Sequence, residues 1–242
     1  MLHALLSDVH GNLEALDAVL ADLATREVAD VACLGDFVGY GASPNECVER
    51  LRGRVAVALL GNHDAAACDP AEADSFTPAA ATAAHWTAGV LAPDHREWLR
   101  GLSRRAHWHG ALLVHASPAD TGSWPYVVDA FDAQNAFDAC DDALVFAGHS
   151  HLPVVFERAG TAPPTATHDA VVRLRPDRRH LVVVPSVGQP RDHDPRAGYV
   201  LWDDAARTVE SVRVAYDVDA AQARIRSAGL PPRLADRLSH GV

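Results

Sequence analysis

Over the first 150 residues a short continuous apolar run is followed by a cluster of polar residues, then by a stretch with apolar positions at helical spacing, and the cycle repeats. LHALLS at 2–7 reads as a buried strand. Behind it, Leu13, Leu16, Leu20 and Leu23 share one face of a helix over 13–25, with Asn12 placed to cap it. VACLG at 31–35 is the next strand. Ser43-Pro44-Asn45-Glu46 then sets a capping serine, a proline in the first turn and a glutamate three residues after the cap, which predicts a second helix. VAVALL at 55–60 makes a third strand, and helices are expected over 78–91, capped by Thr77, and over 93–99. ALLVHA at 111–116 and ALVFAG at 143–148 are further strands, with a helix near 129–139 between them. Strand and helix in turn build an α/β sheet.

Beyond His151 the grammar changes. VVFER, AVVRL, LVVVPSV, YVLWD and VESVRVAY are strands joined by short connections, which suggests an antiparallel portion. AGTAPPTATHD at 159–169 reads as a turn or flexible tip, and a final helix over 219–238 should be broken in two by Gly229-Leu230-Pro231-Pro232. There is no internal repeat and no interdomain linker, so the expectation is one domain over 1–242 with two sheet halves.

The strands of the first half end in residues that bind metals: Asp8-Val9-His10, Gly35-Asp36, Gly61-Asn62-His63-Asp64, His115 and Gly148-His149-Ser150-His151. In α/β sheets the loops at the carboxyl ends of strands converge on one crevice, where sites assemble. One Asp-x-His alone would be weak. Five such blocks in order, each directly after an apolar run, point to a site built for metal.

Composition narrows the chemistry. Twenty-one basic residues against 32 acidic ones give a net charge of −11, which disfavours a nucleic-acid or anionic-membrane partner in the absence of a basic patch. Every basic residue is arginine. Without lysine, a Walker-type phosphate-binding lysine, a lysine Schiff base and a Ser-Lys pair are all excluded. Cys33, Cys47, Cys68 and Cys140 are widely spaced with no CxxC, as expected for reduced thiols in the cytoplasm, and Cys33 reads as a core residue. Met1 leads straight into LHALLSDVH with no basic leader, and no apolar run is long enough to span a bilayer, which gives the same cytoplasmic address.

With D-x-H, G-D, G-N-H-D, H and G-H-x-H all present between residues 8 and 151, the chain resembles the calcineurin-like metallophosphoesterases. DVHGNLEAL, CLGDFVGYG, LVHASP and SVGQPRD carry the likeness to the small bacterial branch as far as about residue 200. The resemblance implies a four-layer αββα sandwich of two mixed sheets with flanking helices and a dinuclear metal site at the strand ends. It further implies that Asp36 bridges two ions, that Asp8, His10 and His151 complete one site, and that Asn62, His115 and His149 complete the other. Two divalent cations are implied, manganese first, with iron, zinc, nickel or cobalt compatible with nitrogen and oxygen ligands and no thiolate. The implied reaction is in-line attack of a metal-bridging hydroxide on a phosphoester. His63 would hydrogen-bond the phosphate and protonate the leaving oxygen.

Serine/threonine protein phosphatases carry an Asp and an Arg shortly after G-D, where this chain has Gly39 and Tyr40, and they end the third block in Glu rather than Asp64. A small phosphodiester or nucleotide-type substrate is favoured accordingly. Asp64 is expected to cap the helix that follows. Gly188-Gln189-Pro190-Arg191-Asp192-His193 reads either as a substrate-facing loop in which Arg191 offers a fork for a second phosphate, or as a plain connection with Arg191 paired to Asp192 or Asp194. His107 and His109 are expected on an exposed edge, while His3, His95, His168, His180 and His240 carry no signal. The rival of a different class is a metal-poor scaffold of the same fold acting as a protein interaction module. It would show lost ligands, and all seven are present.

Overall fold

The computed structural model describes residues 1–242. Twelve strands and eight helices follow one another as β1 (Leu2–Leu6), α1 (Leu13–Leu23), β2 (Asp30–Cys33), α2 (Pro44–Leu51), β3 (Val57–Ala58), α3 (Asn62–Cys68), α4 (Pro78–Val90), α5 (Pro93–Arg100), β4 (Arg105–Trp108), β5 (Ala111–Val114), α6 (Ala130–Asp138), β6 (Leu144–Ala147), β7 (Val154–Arg158), β8 (Thr165–Thr167), β9 (Val171–Arg173), β10 (Arg179–Val183), β11 (Ala197–Asp203), β12 (Thr208–Val214), α7 (Val218–Ser227) and α8 (Pro232–Asp236). Short 3-10 turns occupy Pro70–Ser75 and Arg237–His240.

The strands form two six-stranded mixed sheets, ordered β3-β2-β1-β11-β12-β9 and β4-β5-β6-β10-β7-β8. The parallel neighbours β1/β2, β2/β3, β5/β6 and β6/β10 lie toward the middle and one side of each sheet, and antiparallel strands complete them. Sheet membership does not follow chain halves: the late strands β11, β12 and β9 extend the first sheet from β1, while β10, β7 and β8 extend the second from β6.

Period-two alternation sorts the core into layers. On β1, Ala4 and Leu6 join the cluster under α1 and α2, while Leu5 faces the other sheet. Leu113, Phe146 and Val182 meet Leu5, Leu34 and Val200 in the layer between the sheets. Their neighbours Leu112, Val145 and Leu181 turn outward onto Ala133, Ala136 and Phe137 of α6. Helix, sheet, sheet and helix therefore stack in four layers, as the resemblance implies.

The elements depart from expectation in places with local causes. Asn12 caps α1, its side chain accepting from Ala15 N–H at 3.1 Å. α2 starts on Pro44 with Ser43 at the cap position, as expected, although Ser43 makes no side-chain cap bond. The third strand pairs over only two of its six expected residues. Arg105–Trp108 is an edge strand that alternation did not suggest, and the tip at 159–169 contains β8. The apolar run LVVVPSV leaves the sheet after Val183 because Pro185 cannot donate to a ladder. The break at 229–232 separates α7 from α8 as expected. His3 and His180, which carry no signal in the sequence, are both buried: His3 bonds Asp30 at 2.5 Å and packs on Trp108 and Trp202, and His180 lies 3.3 Å from Glu157. No helix is long and apolar enough to cross a membrane.

Candidate metal centre

Both sheets deliver their strand ends to one crevice. The first sheet contributes Asp8 and His10 after β1, Asp36 after β2, and Asn62 and His63 after β3, while the second contributes His115 after β5 and His149 and His151 after β6. All eight side chains are buried. Asp8, His10, Asp36, His149 and His151 all have left-handed backbone, with φ between 51° and 67°. Each such residue costs on the order of 1–2 kcal/mol, and Asp and His tolerate the region better than most.

Asp8, His10 and His151 can each offer a ligand atom within 4.8 Å of the others; so can Asp36, His115 and His149, and so can His10, Asp36 and His63, which overlaps both groups. Asn62 joins the second group, its Oδ1 lying 3.2 Å from His115 Nε2. Asp36 Oδ2 stands between the groups, 3.6 Å from His10 Nε2 and 3.4 Å from His115 Nε2.

The donor chemistry fits cations. The Nδ1 atoms of His10, His115 and His151 lie 3.2, 2.9 and 2.5 Å from the carbonyls of Val38, Leu34 and Gln189, so each Nδ1–H donates outward and each Nε2 points into the centre. His10 Nε2 and His151 Nε2 then face one another at 3.1 Å as two lone pairs. Asp8 Oδ1 and Asp36 Oδ2 are buried with no hydrogen-bond partner. Unpaired acceptors gathered away from water are costly unless something positive sits among them.

Electrostatics in the metal-free chain agrees. Burial would raise Asp8 and Asp36, but the surrounding histidines, His151 foremost for Asp8 and His115 for Asp36, hold both carboxyls below their usual range. Burial lowers His10 and His151 and pushes His149 down to about 3 and His63 to about 4. His115 is the exception: burial lowers it, yet the adjacent Asp36 charge carries it up to about 9. A proton on His115 thus stands where a cation would.

The remaining shell holds these groups still. Asp8 Oδ2 accepts from His149 N–H at 3.0 Å and Asp36 Oδ1 from His63 N–H at 2.8 Å. Asp64 does more than cap. From the third position of α3 it accepts from Gly61 N–H, closing the helix start, and also from the N–H groups of Asp36 at 2.8 Å and Val38 at 3.2 Å, which fixes the loop carrying Asp36. Gly148 lets the end of β6 approach, since a Cβ there would lie 2.7 Å from Asp8 Oδ2. Gly39, at φ 90°, leaves the space for His63, whose Nδ1 would be 2.5 Å from a Cβ at that position.

A cavity of about 350 Å³ opens over the centre, lined by Asp36, Asn62, His63, His149 and His151 together with Tyr40, Phe76, Trp124, Tyr126 and Arg191. The His63 ring lies against Tyr40 and Phe76, with centroids 4.3 and 4.6 Å away, and its Nδ1 has no partner. Tyr126 stacks on His149 at 4.2 Å. Arg191 reaches the cavity unpaired with acid: Asp192 bonds Arg213 and Asp194 bonds Arg196, so the pairing expected of a plain connection is absent. Arg191 instead donates to Gln189 Oε1 at 3.1 Å and Tyr40 Oη at 3.4 Å. The aromatic walls were not legible in the sequence because Phe76, Trp124 and Tyr126 sit in loops without periodicity.

A family model described as the calcineurin-like phosphoesterase superfamily domain matches residues 1–205. An uncharacterized protein of Methanocaldococcus jannaschii is 36% identical over 242 residues, covering 98% of this chain and 97% of its own length. The crystal structure of a metallophosphoesterase from Sphaerobacter thermophilus superposes with a TM-score of 0.89 at 39% identity, covering 100% of this chain and 99% of that one. A hypothetical protein from Pyrococcus horikoshii OT3 gives a TM-score of 0.80 at 19% identity, over 100% of this chain and 98% of that one, a likeness of fold alone.

Histidines held neutral in the fold make the metal-free protein sensitive to acid. His63 and His149 titrate at about 4 and about 3 when folded and near the ordinary value of about 6.5 when unfolded, so the unfolded chain binds more protons between those limits and stability falls as pH drops through them. His115 acts oppositely only at higher pH, its contribution being complete below about 6.5 and lost as pH rises toward 9. Asp64, which burial raises well above its usual range, acts in the opposite sense over the same interval. Scanning calorimetry of chelator-stripped protein should therefore show a smaller loss of Tm between pH 6.5 and pH 4 in H63A/H149A than in wild type, and equal losses would mean that these imidazoles are not held neutral.

Proposed function

Because this chain belongs to the calcineurin-like phosphoesterase superfamily and is accordingly a metal-dependent phosphoric ester hydrolase, we propose that it cleaves a small phosphodiester or nucleotide-type ester at a two-ion centre. The observation that carries the reading is Asp36 Oδ2, a buried carboxylate oxygen set between His10 Nε2 at 3.6 Å and His115 Nε2 at 3.4 Å. We assign Asp36 as the bridge, Asp8, His10 and His151 to one ion, and Asn62, His115 and His149 to the other. Nitrogen and oxygen donors without thiolate suit manganese, our first choice, and also iron, zinc, nickel or cobalt. Ions held by these residues would supply polarisation of the phosphoryl oxygens and a water acidic enough to act as nucleophile at neutral pH.

The chain's own side chains supply the rest. His63 is unprotonated before substrate arrives, because burial and the nearby Arg191 charge both disfavour the imidazolium. A phosphate beside the ring adds negative charge and raises its proton affinity, so His63 takes up a proton with the substrate, hydrogen-bonds a phosphoryl oxygen and passes the proton to the leaving oxygen. Arg191 gives a planar fork for a substituent on the phosphate. The cavity of about 350 Å³ with walls at Phe76, Trp124 and Tyr126 suits a small ester with a flat substituent better than a phosphoprotein segment. Gly39 and Tyr40 leave the first sphere without the Asp and Arg that follow G-D in protein phosphatases, which also favours a singly charged diester. A scaffold role finds no support where every proposed ligand is kept.

Asp36→Ala should lower metal content at both sites, whereas His10→Ala should empty mainly one; elemental analysis of the two variants decides, and two ions retained at full affinity in Asp36→Ala would remove the bridge. His63→Ala should keep both ions and lose roughly 10²–10⁴ in turnover, the usual worth of a positioned general acid. That loss should shrink for nitrophenyl esters, whose leaving groups need little protonation; equal losses with alkyl esters would leave His63 a positioning role only. On the metal-loaded enzyme, a bis-aryl phosphodiester should show the higher kcat/KM than the matching monoester. A monoester preference of tenfold or more would overturn the diester assignment.

A further inference from the structure

Beside the metal-centre cavity lies a second chamber of about 260 Å³, and the two share Tyr40, Thr77, Ala80, Tyr126 and Arg191 in their walls, so they are contiguous. Its other charged lining residues are Arg233 in α8 and Arg237 at the start of the last turn, both beyond residue 205, where the family match ends. No Asp or Glu lines the chamber. Neither does an acidic side chain pair with any of the three arginines from outside: Asp192 is taken by Arg213, Asp194 by Arg196 and Asp236 by Arg226. Arg237 donates to the main-chain oxygen of Val242, and Arg191 keeps its Nε buried without a partner.

Three guanidinium groups thus line one chamber with no Asp or Glu side chain paired to any of them, in a chain whose net charge is −11. Burial and then the Arg191 charge push Arg237 down to about 10, which still leaves it protonated at neutral pH. Like charges drawn together in a partly desolvated pocket repel one another, and an anion relieves that repulsion. Guanidinium forks match phosphate oxygens two at a time, a geometry lysine cannot give.

We propose that the Arg191–Arg233–Arg237 chamber binds a second phosphate group of the substrate, carried on the leaving group and linked to the scissile phosphate through a phosphoanhydride chain. The ligand class is therefore a polyphosphorylated compound, whether a nucleoside polyphosphate or a bare linear polyphosphate. The inference rests on the phosphoesterase reading only for which phosphate lies at the metal centre. Hydrolysis there breaks the bond between phosphorus and the leaving oxygen, water supplies the new oxygen on phosphorus, and the leaving oxygen takes the proton while its distal phosphate stays on the arginines.

The test is calorimetric titration of tripolyphosphate, and separately of adenosine triphosphate, into chelator-stripped wild type, R233A/R237A and R233K/R237K. The alanine pair should weaken tripolyphosphate binding by about tenfold to a hundredfold, as expected for lost charge-assisted bonds, and the lysine pair should recover part of it. Added salt should weaken the wild-type interaction. Similar affinity for both anions marks the phosphate chain as what is recognised, and tighter adenosine triphosphate adds a contact to the nucleoside. On the metal-loaded enzyme, the ratio of kcat/KM for diadenosine tetraphosphate to that for a bis-aryl diester should fall by a comparable factor in the alanine pair. Arg233 is exposed and unpaired, so R233A alone keeps the test decisive if losing Arg237 unfolds the last turn. Tripolyphosphate that fails to bind metal-free wild type, or binds R233A/R237A equally well, overturns the proposal. Were loaded wild type to hydrolyse no phosphoric ester while its stripped form still bound tripolyphosphate through these arginines, the substrate reading would fall and the anion subsite would stand.

Discussion

Asp36 keeps a negative charge in a place where burial alone would protonate it, and the neighbourhood of that carboxylate explains much of the local architecture. One oxygen is fixed by the His63 N–H, and the other is left facing two imidazole nitrogens. The main chain at Asp36 takes a left-handed conformation that an isolated strand end would not adopt, and Asp64 stabilises it by accepting the N–H groups on either side of Phe37. Removing Asp64 would orphan buried donors, each a loss of roughly 1–3 kcal/mol, as well as freeing the loop. The third block of the motif therefore acts backwards on the second. Its Asp sets the geometry of the carboxylate that the two histidine groups share.

The centre also straddles the seam between the two sheets. Asp8, His10, Asp36, Asn62 and His63 hang from the first sheet, and His115, His149 and His151 from the second, so the inter-sheet layer of Leu5, Leu34, Phe146, Val182 and Val200 sets the separation of the groups. Close packing of such a layer makes that spacing stiff. The ends are tied as well as packed. Val187 N–H and Gly188 N–H donate to the carbonyls of Ser7 and Asp8, Ser186 Oγ also donates to the Asp8 carbonyl, and the Gln189 carbonyl receives Nδ1–H of His151. A chain segment leaving the second sheet thus closes onto the end of the first strand.

How much of this was legible in the sequence depends on whether information was local. The apolar runs of β1, β5 and β6 and the polar blocks behind them were readable because a buried strand and the loop after it are contiguous. Asn12 was readable as a cap for the same reason. What failed was non-local. Arg105–Trp108 is a strand only because β5 pairs with it, and β8 only because β7 does. His3 shows no pattern along the chain, yet Asp30, Trp108 and Trp202 from three other strands surround it. The aromatic walls and the arginine chamber join loops at 76 and 124–126 to a helix after 230, and no spacing rule links positions so far apart.

The buried ligand-type side chains and the cavity walls accordingly come from different parts of the molecule. The acidic and imidazole groups lie on short connections after the central strands, where layers on both sides leave them little freedom. The surfaces a substrate would meet beyond its reacting phosphorus come from the 70–77 and 123–126 segments and from α8, which pack around the rim of the crevice. This matters for a protein of net charge −11, since its bulk field opposes a polyanionic ligand at any distance the salt does not screen. Attraction has to be built locally, with positive charge placed where desolvation strengthens it and with no Asp or Glu side chain paired to it. Arg191, Arg233 and Arg237 meet that requirement as a group. Because two of them lie on the final turns rather than on the strand ends, a change there would leave the buried Asp and His cluster in place.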